Sequence, residues 1–120
     1  MRTVKNSNEN VEIQVFDEPG EGGACHEYYL SPAVTSADEI AGRFGNIRFQ
    51  NGPIKENGVN GCHQEDLLAI VIDRLEHFQA GEFKCRENAL ALTKIQEGLL
   101  WLQSRTADRT MRGVEGTNVK

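Results

Sequence analysis

The chain lacks most of the marks of a familiar enzyme or membrane class. No apolar run approaches the roughly 20 residues that span a bilayer. The polar start (Asn6, Ser7, Asn8, Glu9, Asn10) has no apolar core like that of a signal peptide, so a cytoplasmic protein is expected. Cysteine is scarce: Cys25, Cys62 and Cys85 are odd in number and widely spread, which does not look like a disulfide framework. His26, His63 and His77 have no C-x-x-C or H-x-x-x-H companions, and the Cys25-His26 and Cys62-His63 pairs lack zinc-ligand spacing. There is no nucleophile elbow, no Walker loop and no clear dinucleotide-binding βαβ unit. Catalysis and metal binding have little to stand on, no cofactor is expected, and binding without turnover is the favoured class.

Cations are also in short supply. The formal net charge is −5, which argues against sequence-independent binding to long nucleic acid. The deficit is uneven. Residues 1–42 set Arg2 and Lys5 against eight acids, whereas residues 99–113 set Arg105, Arg109 and Arg112 against Asp108 alone. A small basic locus on an acidic body suits a small anion better than a polymer.

What the chain does have is a loop rich in turn residues, Asn51-Gly52-Pro53-Ile54-Lys55-Glu56-Asn57-Gly58-Val59-Asn60-Gly61, running into a helix. Asn and Gly tolerate positive φ and Pro fixes its own, so tight turns are expected here rather than helix or strand. Outward-pointing N–H groups at a helix start can surround an anion. The segment reads either as such a site or as a compact connector.

At 120 residues the chain fits one domain, with a strand-rich part over about 1–61 and a helical hairpin with its tail over 62–120. Val11–Val15 alternates as a half-buried strand should. Glu27–Leu30, stopped by Pro32, and Asn46–Gln50 read as two more. Residues 33–45 stay unassigned. From Gln64, Leu67, Leu68, Val71, Leu75 and Phe78 share one helical face, and Ala80-Gly81 ends that helix. A second helix begins near Arg86 or Glu87 and runs to about Met111, with Leu92, Ile95, Leu99 and Leu102 as its stripe. The short connector makes the pair antiparallel. The expected fold class is therefore α+β, a small N-terminal antiparallel sheet followed by a two-helix hairpin. Leu99-Leu100-Trp101-Leu102 is apolar around the whole helix, more than one partner helix and a short sheet can cover, so an oligomer is expected.

Three residue groups could carry recognition. Arg105, Arg109 and Arg112 lie at i, i+4 and i+7, and guanidinium forks match phosphate oxygens; the same residues could simply complement the helix C-terminus. Phe78, beside the hairpin turn, could stack on a base or belong to the core. Asn88 could pair with an adenine edge or a ribose hydroxyl, or cap its helix.

A resemblance adds to this reading. The Asn51–Gly61 loop comes first, then Phe83-Lys84-Cys85-Arg86-Glu87-Asn88-Ala89-Leu90-Ala91-Leu92. Trp101-Leu102-Gln103-Ser104-Arg105-Thr106, Arg109 and Gly113-Val114-Glu115-Gly116-Thr117 follow in order. Over about residues 46–118 these look like the phage Thoeris anti-defence protein 1 family, whose hairpin resembles that of phage anti-CBASS cyclic-nucleotide sponges. The resemblance implies a protein of the infected bacterial host's cytoplasm that sequesters glycocyclic ADP-ribose, made from NAD by TIR-domain enzymes, without degrading it. Some members also bind cyclic di- or trinucleotides at separate sites between subunits, so cyclic oligonucleotides join the candidate ligands. Assemblies in the family are dimers, or hexamers built from dimers. By motif, the base-stacking aromatic falls on Phe78, the ligand-contacting Asn on Asn88 and the phosphate-binding Arg on Arg105, with Arg109 assisting. The Gly-rich loop supplies Asn51, Gly52, Pro53, Lys55, Asn60 and Gly61, in which Lys55 is the only cation. Two other classes compete: a phosphodiesterase or glycosidase using Glu87, and a protein-binding inhibitor acting through the acidic N-terminal half.

Overall fold

The computed structural model describes residues 2–33, 44–117 and 119. It divides into two compact units, Met1–Cys62 and His63–Lys120. The expected α+β class is observed: a four-stranded antiparallel sheet comes first and helices follow.

In the first unit, β1 (Arg2–Val4), β2 (Val11–Val15), β3 (Glu27–Pro32) and β4 (Gly45–Arg48) form a meander in sequence order. The register sets Val15 opposite Tyr28 and Ile13 opposite Leu30. The other residues of β2 and all of β3 are half-buried, and Val15, the last residue of β2, is fully inaccessible. Aromatic contacts extend the core at both faces: Phe16 against Tyr29 (4.5 Å between centroids) and Tyr28 edge-on to Phe49 (5.6 Å). Three expectations change in detail. β1 was not anticipated; three residues carry no period, and pairing with β2 holds them in place. Pro32 does not stop β3 but closes it, opposite Val11, a position where a strand tolerates Pro. β4 ends at Arg48, and Phe49 makes only an isolated bridge to Cys62. The helix-start pattern at residues 36–40 lies outside the described residues.

The first unit ends with a single helical turn, α1 (Ile54–Asn57), and the second unit is the hairpin of α2 (Gln64–Gln79) and α3 (Arg86–Met111). The N–H of His63 donates to the Asp66 carboxylate (2.8 Å), closing the start of α2. Along α3 the half-buried or buried positions are Asn88, Leu92, Ile95, Gly98, Leu99, Leu102, Thr106 and Arg109, and all but Gly98 follow an alternating four-three spacing. Leu68, Ile72 and Leu75 answer on α2. This is the spacing of a coiled-coil seam, narrower than the apolar face of a helix packed on a globular core. Val71, expected on that face, is 40% exposed, and Ile72 is covered instead.

A two-helix seam buries little. No α2 side chain is fully buried, and the single buried one on α3 is Arg109. Ile70, Leu90, Leu100 and Met111 are exposed, and Trp101 is 70% exposed.

Candidate functional site

The loop is held by its own side chains. The Asn51 N–H donates to Asn60 Oδ1 and Asn60 Nδ2 returns to the Asn51 carbonyl, both at 2.8 Å. Gln50 clamps the stretch from the other side: its Oε1 accepts the Asn60 N–H, and its Nε2 donates to the Gly58 and Gly52 carbonyls. Helix was not expected here, yet one helical turn, α1 (Ile54–Asn57), forms between Pro53, which supplies a preset φ at its N-cap, and Gly58, whose φ of 71° stops it. Pro53 is buried and Lys55 exposed. Gly61 is required by a close approach, because a Cβ there would lie 2.5 Å from the Phe49 carbonyl carbon. The N–H groups of Asn51, Glu56, Asn57, Gly58 and Asn60 are thus engaged by the loop itself or by Gln50.

Beside the loop, within the first unit, is a cleft of about 260 Å³ lined by Asp17, His26, Arg48, Phe49, Asn51 and Asn60. Its charges are paired. Asp17 accepts the N–H groups of His26 (2.8 Å) and Glu27 (3.0 Å), and Arg48 lies 3.5 Å from the Glu27 carboxylate. Desolvation pushes the Asp17 carboxyl up, but the backbone N–H bonds from Glu27 and His26, helped by the nearby imidazole, hold it below its ordinary value.

The hairpin turn gathers a different set. Phe78 is half-buried, and its ring and that of Phe83 meet in a T-shaped pair (6.2 Å, 77°), while Phe83 itself is 75% exposed. The Arg74 guanidinium carbon lies 4.8 Å from the Phe78 centroid, as its i−4 position allows. The α3 cap is Cys85, whose Sγ accepts the Asn88 N–H (3.4 Å), which frees Asn88 from that duty. Asn88 Nδ2 donates to the Phe83 carbonyl (3.4 Å), and its Oδ1 takes no hydrogen bond among the described residues. An aromatic corner, an unengaged amide oxygen and a cation therefore stand together. His77, exposed one turn after Asp73, binds the Asp73 carbonyl through Nδ1 (2.8 Å); that bond, with the Asp73 carboxylate, raises its pKa.

The three arginines of the basic locus part ways. Arg112 pairs with Asp108 (3.0 Å). Arg109, read from sequence as an assisting phosphate ligand, is 6% exposed and turned to the C-terminal tail. Its Nε donates to the Glu115 carboxylate (3.2 Å), and its terminal nitrogens donate to the carbonyls of Val114 (3.0 Å), Thr117 (2.9 Å) and Val119. With its fork filled by the chain's own acceptors, Arg109 organises the tail. Arg105 is exposed and makes no hydrogen bond or ion pair among the described residues.

Asn88 and Arg105 do not meet within a chain. Seventeen residues of continuous helix at ~1.5 Å each separate them by about 25 Å along α3. Arg105 shares a helix face with Gly98 and Trp101, spaced three and four apart. A Cβ at Gly98 would meet nothing within 4 Å.

The family model described as the Acb2/Tad1 hairpin domain matches residues 42–107, which span β4, the loop, α2 and α3 as far as Ala107. The chain belongs to the Acb2/Tad1 hairpin family. Among curated proteins it is similar to "Thoeris anti-defense 1" of Bacillus phage SBSphiJ7, 54% identical over 90 residues. The match covers 75% of this chain and 63% of that relative, so the chain spans less than two thirds of the relative's length. Phe78, Asn88 and Arg105 lie within the family region, whereas β1 to β3 and the tail held by Arg109 lie outside it. Sequence reasoning missed Arg74 and Phe83. The signal for Arg74 was its i−4 spacing from Phe78; for Phe83 it was an aromatic left in a short polar connector. Among the described residues no helix is long and apolar enough to cross a membrane.

Proposed function

We propose that the chain is a phage anti-defence protein that sequesters a TIR-generated cyclic ADP-ribose signal, glycocyclic ADP-ribose, in a site shared between two copies. The adenine stacks on Phe78, its amino group donates to Asn88 Oδ1, and its pyrophosphate meets the partner's Arg105. Membership of the hairpin family and the name of the 54% identical relative support the anti-defence role. The observation that carries the shared site is the ~25 Å of helix between Asn88 and Arg105. Two antiparallel copies of α3 crossing near its middle would set each Asn88 against the partner's Arg105. Near the middle of that span lies Gly98, on the face of Arg105 and the bare Trp101, where a second backbone has room. A closed twofold pair would then carry two identical sites. Holding the ligand between preformed surfaces supplies affinity by lowering ordering costs, and no bond is broken.

Complementation tests this. Phe78→Ala and Arg105→Ala should each weaken glycocyclic ADP-ribose binding at least about tenfold while the hairpin still melts cooperatively. Co-expressed, the two chains form mixed pairs in which one site combines a native Phe78 with a native Arg105, so about a quarter of the binding capacity should return on random pairing. No recovery would refute the shared site. Ligand released by heat should be unaltered in mass; an altered product would make the protein an enzyme.

A further inference from the structure

One cation at the hairpin turn has no role in that reading. Arg74 makes no hydrogen bond or ion pair among the described residues, and its guanidinium carbon lies over the ring of Phe78, 4.8 Å from the centroid. A base that stacks on the Arg74 side of Phe78 must take the place of the guanidinium. A guanidinium is planar and weakly hydrated, so it covers an aromatic face as a base does, but an exposed cation–π contact is weaker than base stacking. A ligand with a base therefore displaces Arg74, and the displaced fork is left without an anion beside a ligand that carries two phosphates. We propose that Arg74 is a ligand-exchanged phosphate contact, which covers Phe78 in the empty site and binds a phosphate oxygen of the same ligand once the base has taken its place. The proposal rests on Phe78 being the base platform. It makes Arg74 a determinant of preference for phosphate-bearing ligands over free nucleosides.

The test is calorimetric titration of glycocyclic ADP-ribose at two salt concentrations with the native protein, Arg74→Gln, Arg74→Lys and Phe78→Ala, each checked by thermal melting. Arg74→Gln should weaken binding about tenfold or more and flatten its salt dependence, whereas Arg74→Lys, which keeps the charge, should stay within about threefold of native. Native or tighter binding by Arg74→Gln would overturn the proposal, because Arg74 would then only compete for the ring. Equal losses in the Lys and Gln variants would also overturn it, because stacking rather than charge would matter. Phe78→Ala separates this idea from the one beneath it. Loss there with no loss in Arg74→Gln refutes the Arg74 role alone, and native affinity in Phe78→Ala removes the platform and the exchange together.

Discussion

Replacing Arg109 by Ala should loosen the C-terminal tail and destabilise the hairpin, with the effect on binding following from both. The side chain is 8% exposed and donates to one carboxylate and three carbonyls. Hydrogen bonds from a charged donor contribute about 1.5–3 kcal/mol each before compensation. Most of that sum is recovered in the variant, because Glu115 is 41% exposed and the freed tail carbonyls rehydrate. The expected net loss is therefore about 2–3 kcal/mol, below the 3–5 typical of breaking a fully buried pair. For a unit of this size that shifts the melting temperature by on the order of 10 °C. Hydrogen exchange gives the local readout: the Val114 N–H now donates to the Arg109 carbonyl and the Thr117 N–H to the Val114 carbonyl, and both should lose protection. Arg109→Lys should restore less than half of the stability, since a point charge cannot span four acceptors. A melting temperature within a degree or two of native, with unchanged exchange at Val114 and Thr117, would refute the tail-organising role and return Arg109 to the list of phosphate ligands.

Gly61→Ala would drive a Cβ to 2.5–2.7 Å from the backbone of Phe49 and Arg48; a loss of about 1–3 kcal/mol is expected in denaturant unfolding, and an unchanged midpoint would mean the loop shifts freely. Asp17 has a folded-state pKa depressed below 3.8, so its contribution is full above that value and is lost as pH falls through the folded value; Asp17→Asn should flatten the acid limb of the stability curve, and an identical limb would count against the paired N–H account. Trp101→Glu should leave helix content unchanged by circular dichroism but shift sedimentation to a smaller species; an unchanged sedimentation coefficient would move the interface elsewhere.

The helices were legible almost to the residue because three-four spacing, Gly81 and the basic tail of α3 are local signals, and a seam against one neighbour follows local phase. β1 was not, since Arg2-Thr3-Val4 gains its order from β2. The turn composition of residues 51–61 was read correctly as non-strand, but α1 escaped because Pro53 and Gly58 bound a single turn. At the site, Phe78 and Asn88 could be nominated but their competing duties could not be resolved; the cap went to Cys85 and the ring face to Arg74 only in three dimensions. The contacts of Arg109 with Val114, Glu115, Thr117 and Val119 were not legible, because nothing in an i, i+4, i+7 pattern reports that a later segment will fill the fork.

The spacing of Asn88 and Arg105 along α3 carries a consequence for timing. If neither end of one chain suffices, capture capacity rises with the square of chain concentration while pairing is incomplete, and linearly only afterwards. A newly infected cell would gain almost nothing from the first copies synthesised and then cross quickly into protection. Promoter strength and translation in the earliest minutes would matter more than the affinity of the finished site. A fused tandem of two chains, joined by a linker long enough to let the helices cross, would remove that delay.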